Sequence, residues 1–370
     1  MIRILSILGT RPEAIKMAPL LRELERRADF APLLCVTGQH RELLDQALGY
    51  FSLTPDADLD LMTPRQEPGA FLGAAVPALE AVIRECDPAL VLVHGDTSTA
   101  LAGALAASYR RVPLGHVEAG LRSGDPGRPF PEELHRRLVD VLAALHFAPT
   151  ARNARQLLRE GAPPSGVFVT GNTVVDALAL TVREDFHDEA LDWALAGGRF
   201  LLLTAHRRES FGAPLRGLFR AVRRAAERFD GVRVLCPVHP NPAVREAAEE
   251  VFAGCAAVRL IAPPDVFVFH NYLSRAALVL TDSGGVQEEA CALGVPALVL
   301  RDRTERPEGV EAGTLRLAGT DEARVYGELC RLLTDASALA AMRGGANPYG
   351  DGRAAAHIAD AIASAWRARP

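Results

Sequence analysis

No apolar run in this chain approaches the roughly 20 uninterrupted residues that span a bilayer, so no membrane-spanning helix is expected. Basic charge is not in excess either. The formal net charge of −5 argues against the broad positive field of a nucleic-acid surface. The six cysteines (Cys35, Cys86, Cys236, Cys255, Cys291, Cys330) include no CxxC pair and no metal-spaced group with histidine, and several lie in apolar runs. They read as reduced, packed thiols of a cytoplasmic protein rather than a disulfide frame or a zinc site, and no metal is expected. No GxGxxG follows the first apolar run, so a tightly held dinucleotide is not expected. GxxxxGK[ST], GxSxG and HExxH are missing too, which argues against ATP or GTP hydrolysis, an esterase elbow and a zinc protease. No cofactor is therefore expected. There is no fixed-period repeat and no low-complexity tract. Met1–Gly9 turns polar too soon for a signal peptide and reads as a first buried strand.

What is present is a regular alternation. Apolar runs Ile2–Leu8, Pro32–Thr37, Leu90–Val93, Pro113–Val117, Leu145–Phe147 and Val167–Thr170 read as strands. Between them Ala14–Arg27, Leu72–Glu85, Thr99–Tyr109, Glu133–Ala144 and Asn153–Glu160 read as helices. This is the βαβ pattern of a parallel, doubly wound sheet. At 370 residues two domains are the better expectation. The pattern changes after the helical stretch Thr173–Asp185, where a polar segment ends in Gly197-Gly198, and a second strand series begins: Phe200–Leu203, Val232–Cys236, Val258–Ile261, Ala277–Leu280 and Val295–Leu300. The expected division is 1–172 and 173–352, with an Ala-rich helix, Arg353–Trp366 within 353–368, packing back on the first domain. Two such sheets facing each other would enclose a cleft. Ligands of these sheets bind outside the carboxyl ends of the strands, and the polar clusters of this chain fall there.

Gly9-Thr10-Arg11-Pro12-Glu13 follows the first strand, with Lys16 one turn on. Arg11 can fork onto phosphate oxygens and Lys16 can add a point charge; a helix start with Pro near its first position explains the same residues. His94-Gly95-Asp96-Thr97-Ser98 closes another strand, where Asp96 is either a helix cap or a carboxylate aimed into the cleft. His116-Val117-Glu118-Ala119-Gly120 closes the next, and Glu118 has no evident structural duty there. Pro131-Glu132-Glu133 opens a helix, where acids often serve only the dipole. Three acid clusters at successive crevice positions nevertheless suit general acid/base chemistry on a sugar ring. In the second half, His206 and the arginines of His206-Arg207-Arg208-Glu209-Ser210 can meet a diphosphate, or form a solvated loop. Thr281-Asp282-Ser283-Gly284-Gly285 joins a strand to a helix. Unpaired amides and glycines at such a point admit a phosphate, and Glu289, about a turn later, can accept from ribose hydroxyls; a tight turn capped by Ser283 is the alternative. The charged run Arg301–Glu308 reads as a cleft wall or a surface loop.

Taken in order, Gly9-Thr10-Arg11-Pro12-Glu13, Val93-His94-Gly95-Asp96, His116-Val117-Glu118-Ala119-Gly120, Phe130-Pro131-Glu132-Glu133, His206-Arg207-Arg208-Glu209-Ser210, Asp282-Ser283-Gly284-Gly285 and Glu305-Arg306-Pro307-Glu308 resemble the non-hydrolysing UDP-N-acetylglucosamine 2-epimerases over nearly the whole chain. The resemblance implies two Rossmann-like domains of the B-type glycosyltransferase kind, a homodimer, and interconversion of UDP-N-acetylglucosamine and UDP-N-acetylmannosamine for cell-surface polysaccharide synthesis. The implied route eliminates UDP to a 2-acetamidoglucal and adds it back. Asp96, Glu118 and Glu132 then match the acid/base groups. Arg11, Lys16 and His206 match phosphate and sugar-pocket groups, with Ser283, Gly284 and Gly285 on the phosphates. Glu289 matches the ribose ligand, and Phe269 and Arg306 lie near the uridine and the pocket wall. Gln39, His40, Arg65, Gln66 and His239 match parts of an activating UDP-N-acetylglucosamine site. Glu42 stands there where Gln is common in some relatives. Pro264 and His135 depart from the pattern without removing an acid.

A hydrolysing epimerase, an epimerase of a modified UDP-diacetamido sugar and a catalytically silent nucleotide-sugar sensor are the alternatives. A silent sensor is expected to lose its crevice acids, and this chain keeps them.

Overall fold

The computed structural model describes residues 1–367 apart from 40, 64–65, 128 and 208–209. The chain divides into two compact units, one formed by Met1–Ala179 with the segment from Tyr349 onward, the other by Leu180–Pro348. Each is a parallel sheet flanked by helices.

In the first unit, the described residues form a seven-stranded sheet of β1 (Ile2–Leu8), β2 (Phe30–Val36), β3 (Ala57–Asp58), β4 (Leu90–His94), β5 (Leu114–Val117), β6 (Leu145–Ala148) and β7 (Val167–Val169). The spatial order is β3-β2-β1-β4-β5-β6-β7. The chain runs outward from β1 to β3, returns to pair β4 against β1, and continues the other way, so the order reverses between β1 and β4. At that reversal the connecting segments leave toward opposite sides and open a crevice at the carboxyl ends. The central strands are apolar on both faces because helices cover both: Leu90 to Val93 have no exposed surface. The Ala-rich helix Ser98–Tyr109 can press against them because Gly103 has no side chain; a Cβ there would stand 2.9 Å from Val93 Cγ1.

The second unit repeats the plan with β8 (Arg199–Thr204), β9 (Val232–Pro237), β10 (Val258–Ile261), β11 (Leu278–Thr281), β12 (Ala297–Val299) and β13 (Leu315–Leu317), ordered β10-β9-β8-β11-β12-β13. Here the reversal falls between β8 and β11. Thr204 pairs with Thr281 at its edge, and their hydroxyls hydrogen-bond at 2.8 Å.

The strands are read correctly over most of both sheets, with local differences. The helix Arg41–Tyr50 was not expected, and β2 and β12 differ in their ends from the expected runs. Two short strands, β3 and β13, have too few residues to show alternation. The polar stretch before Gly197 contains a helix, Glu189–Leu195, which buries only Leu191 and Ala194 and is capped by the Asp188 carboxylate accepting the Leu191 amide at 2.7 Å. The helix expected over Thr173–Asp185 stops at Thr181, where the Asn271 side chain takes both backbone groups: its Nδ2 donates to Thr181 O and its Oδ1 accepts from the Arg183 amide.

Candidate active site

The clusters at the two reversal points are built by side chains that cross between strands. In the first unit, Glu13 lies in the first turn of the helix Arg11–Arg26 and is buried. Its Oε2 accepts from the amides of Gly9 (3.0 Å) and Thr10 (2.7 Å) and the Thr10 hydroxyl (2.8 Å), while Oε1 accepts from the Thr97 hydroxyl at 2.7 Å. One carboxylate thus ties the turn after β1 to the turn after β4. Burial pushes its pKa up to about 7, against those four hydrogen bonds. Arg11 opens the helix and is half-buried.

Glu118 follows β5 with φ +69°, a left-handed conformation that turns its side chain back over the sheet edge. The Lys16 ammonium and Asn172 Nδ2 (3.0 Å) both donate to Glu118 Oε2, and His94 Nε2 stands 3.8 Å away. His94 is buried. Burial drives its pKa down to about 4, so the ring is neutral near pH 7, and Nε2 has no hydrogen-bond partner. Asp96 is not a cap: the helix Ser98–Tyr109 is capped by Thr97, which accepts the Ala100 amide. Instead, Arg136 Nη2 donates to Asp96 Oδ2, and His135 Nδ1 lies 3.0 Å from Asp96 O. The two acids of Glu132-Glu133 separate. Glu133 is buried and structural, accepting from the Ser123 amide and from Arg137. Glu132 opens the helix Glu132–Leu142 and is partly exposed.

In the second unit, Asp282 after β11 is fully buried, and its Oδ2 accepts the amides of His206 and Arg207, each at 2.8 Å. It fixes the turn after β8 against the turn after β11. The His206 ring stacks on His239 (5.2 Å between centroids, 12° between planes), and burial holds its pKa below the usual histidine value. Ser283 occupies the cap position of the helix Gly284–Ala292, yet its side chain makes no capping bond. The capping alternative therefore falls away.

Arg306 lies beneath this turn. Its Nε donates to Glu288 at 2.9 Å and its Nη1 to Glu305 at 2.7 Å, and a Cβ on Gly284 would stand 2.5 Å from Nη1. A side chain at Gly284 would force the Arg306 guanidinium to shift. Burial alone would raise Glu305, but Arg306 and Arg301 outweigh it and hold the carboxyl down to about 2. Arg306 is thus committed to two protein carboxylates under the turn, which the expectation of a pocket-wall residue did not include. Glu289 sits further along the same helix, with Oε1 3.6 Å from His270 Nε2 and Oε2 buried without a hydrogen-bond partner. Phe269 is half-buried on the neighbouring helix Val266–Arg275.

The residues matched to an activating site are dispersed in role. Gln39 Oε1 accepts from the Thr99 hydroxyl at 2.9 Å, beside the turn after β4. Gln66 accepts locally from the Thr63 amide, and Glu42 is exposed in the first turn of the helix Arg41–Tyr50. His239 belongs to the second unit, where its Nδ1 accepts the Asn241 amide. His40 and Arg65 lie outside the described residues.

Sequence reasoning missed Glu13, His94, Arg136, Asn172 and Asp282 as working parts. Glu13, His94 and Asp282 stand inside motifs already singled out. Asn172 follows a Gly at a strand end, a signal of the same kind. Arg136 has no local signature.

Known proteins resemble the chain throughout. The family model described as UDP-N-acetylglucosamine 2-epimerase matches residues 22–363. The UDP-N-acetylglucosamine 2-epimerase of Bacillus subtilis is 48% identical over 361 residues, covering 98% of this chain and 95% of that protein. The structure described as an S. aureus MnaA–UDP co-structure superposes with a TM-score of 0.93 at 46% identity, covering 99% of this chain and 97% of that one. UDP-GlcNAc 2-epimerase from Neisseria meningitidis, solved bound to UDP-GlcNAc, gives a TM-score of 0.91 at 38% identity over 98% of this chain and 100% of that one.

Proposed function

The chain belongs to the UDP-N-acetylglucosamine 2-epimerase family, and we propose that it interconverts UDP-N-acetylglucosamine and UDP-N-acetylmannosamine by the non-hydrolysing route. The C2 proton of the sugar is not acidified by an adjacent carbonyl, so direct removal and return is unfavourable. A carboxylate instead takes the C2 proton while the C1–O bond breaks, its electron pair leaving with UDP and the C2–H pair forming the C1=C2 bond of a 2-acetamidoglucal. UDP then re-adds at C1 and a proton returns to the other face of C2. Atoms and charge balance without a cofactor.

The observation that carries this reading is the Glu118 carboxylate, gripped on Oε2 by Lys16 and Asn172 at the end of β5. Such a grip fixes the orientation of a proton-transferring group. We assign proton transfer to Asp96, Glu118 and Glu132, with His206 beside the diphosphate. Ser283, Gly284 and Gly285 offer the start of a helix to the phosphates, and Arg11 adds a fork of donors. The orphaned Glu289 Oε2 supports a ribose role, since it lacks the donor that a ribose hydroxyl would bring. Phe269 would lie near the uracil. Within this reading the first unit carries the acids and the second holds UDP, which keeps the leaving group in place until it re-adds. Regulation by a second UDP-N-acetylglucosamine through Gln39, Gln66 and His239, a homodimer, and a cytoplasmic location belong to the same proposal.

Incubation with UDP-N-acetylglucosamine in deuterated water tests it. Proton NMR is expected to find deuterium at C2 of UDP-linked N-acetylmannosamine. Free N-acetylmannosamine and UDP as the main products would establish the hydrolysing reaction instead.

A further inference from the structure

One buried pair touches all three segments that carry the proposed acids. His116, in β5, has no exposed surface. Its Nε2 lies 2.8 Å from the Gly95 carbonyl oxygen, in the turn that bears Asp96. Its Nδ1 lies 2.6 Å from Asp140 Oδ1. Asp140 belongs to the helix Glu132–Leu142, which Glu132 opens. The other oxygen, Oδ2, accepts from the Gly120 amide at 3.3 Å, in the turn that bears Glu118, and from Arg122 Nη2 at 2.7 Å.

The contacts also count protons. A carbonyl oxygen and a carboxylate only accept, and a neutral imidazole has a single N–H. Two short contacts from one ring to two acceptors require a proton on each nitrogen. Burial would raise the Asp140 carboxyl, but the facing His116 and Arg122 outweigh that and hold it below its ordinary value. Arg122 in turn pairs with Glu160, and His94 and His146, the latter with Nε2 2.9 Å from Asp140 O, are further titratable neighbours of the pair.

We propose that His116 and Asp140 form a buried positioning clamp, the His116 ring donating through both nitrogens, that fixes Asp96, Glu118 and Glu132 relative to one another for epimerisation. The inference rests on the reading of those three acids given above. The clamp reaches the Asp96 turn through a carbonyl, the Glu118 turn through an amide and Glu132 through its own helix. It sets where the carboxylates stand and leaves UDP binding to the other unit.

Asp140→Asn separates position from charge. Its amide nitrogen can donate to Nδ1 of a neutral ring whose Nε2–H still reaches Gly95, and its oxygen can still take Gly120 and Arg122. Asp140→Ala removes the clamp. Steady-state kinetics with UDP-N-acetylglucosamine are expected to show kcat falling on the order of 10²-fold in Asp140→Ala, with KM unchanged, and Asp140→Asn recovering most of that loss. In ¹⁵N-histidine-labelled enzyme, the ring signals that vanish in His116→Gln are expected to show both nitrogens protonated in the wild type and one in Asp140→Asn. A folded Asp140→Ala with wild-type kcat, a loss confined to KM, an Asp140→Asn as slow as Asp140→Ala, or an unprotonated His116 nitrogen in the wild type would each overturn the clamp. If Asp140→Ala does not fold, the spectrum and Asp140→Asn still decide. The spectrum needs no turnover, so normal turnover in Asp96→Asn would sink the reading of the acids while leaving the proton count standing.

Discussion

Lys16 and Glu118 form an ion pair, the ammonium donating to Glu118 Oε2, with both side chains about nine-tenths buried. Lys16, expected as a charge for phosphate, is therefore committed to a carboxylate of its own unit. The pair sets the orientation of Glu118.

Glu118→Gln is expected to lower kcat by roughly 10²–10⁴-fold, the range for a positioned acid or base, while leaving UDP affinity measurable by calorimetry. It also removes the negative charge that faces the buried Lys16 ammonium. Breaking a buried pair by removing one partner costs about 3–5 kcal/mol, so urea unfolding should shift to lower denaturant. Adding Lys16→Met should restore much of the stability and none of the turnover. An active double variant would contradict the role given to Glu118.

The buried His94 ring gives a pH signature. Its folded pKa is about 4 against 6.5 for an ordinary histidine. Between those values the unfolded chain binds a proton that the folded chain refuses. The stability owed to a neutral His94 is complete above pH 6.5 and is lost as pH falls toward about 4, by up to roughly 3 kcal/mol. Urea unfolding of the wild type and His94→Gln on either side of this window measures the difference. Equal pH dependence in both proteins would refute the assignment.

Ser283 and Gly284 make separable contributions. Losing a capping side chain costs about 1 kcal/mol. Ser283 caps nothing, so Ser283→Ala is expected to leave the melting temperature unchanged while weakening UDP binding. Gly284→Ala instead drives a methyl group into the Arg306 guanidinium and is expected to lower both stability and UDP affinity. Calorimetric titration with UDP alongside thermal melts distinguishes the two patterns.

Asp282→Ala removes the acceptor of two backbone amides and is expected to release the His206–Arg207 turn. Hydrogen bonds to a charged group contribute about 1.5–3 kcal/mol each, so a clear loss of stability should accompany a weaker affinity for UDP. A variant with unchanged UDP affinity would detach that turn from the diphosphate.

Much of the fold could be read locally. β1 and β10 agree with their apolar runs at both ends, and the polar motifs stand at strand carboxyl ends because βαβ units place them there. The short helix Glu189–Leu195 was hidden because a seven-residue helix with two buried side chains leaves almost no periodic trace. At the site, Asp96 and Ser283 could each be read as caps. Neighbouring Thr97 supplies the first cap, and the second is not made. Of the two adjacent acids, Glu133 is drawn into the fold by Ser123 and Arg137, and that choice depends on a loop ten residues away.

The amino-acid sequence determined the alternation of strand and helix, the family, and the residue types available at each strand end, because periodicity, caps and glycine turns act over a few residues. Tertiary structure decided which charge meets which. Lys16 and Glu118 are separated by 102 positions, and Asn172 lies 54 beyond Glu118, yet all three converge on one oxygen. That convergence is set by the return of the chain to β4 and the neighbouring pairing of β5, a long-range event with no trace in any local stretch of residues.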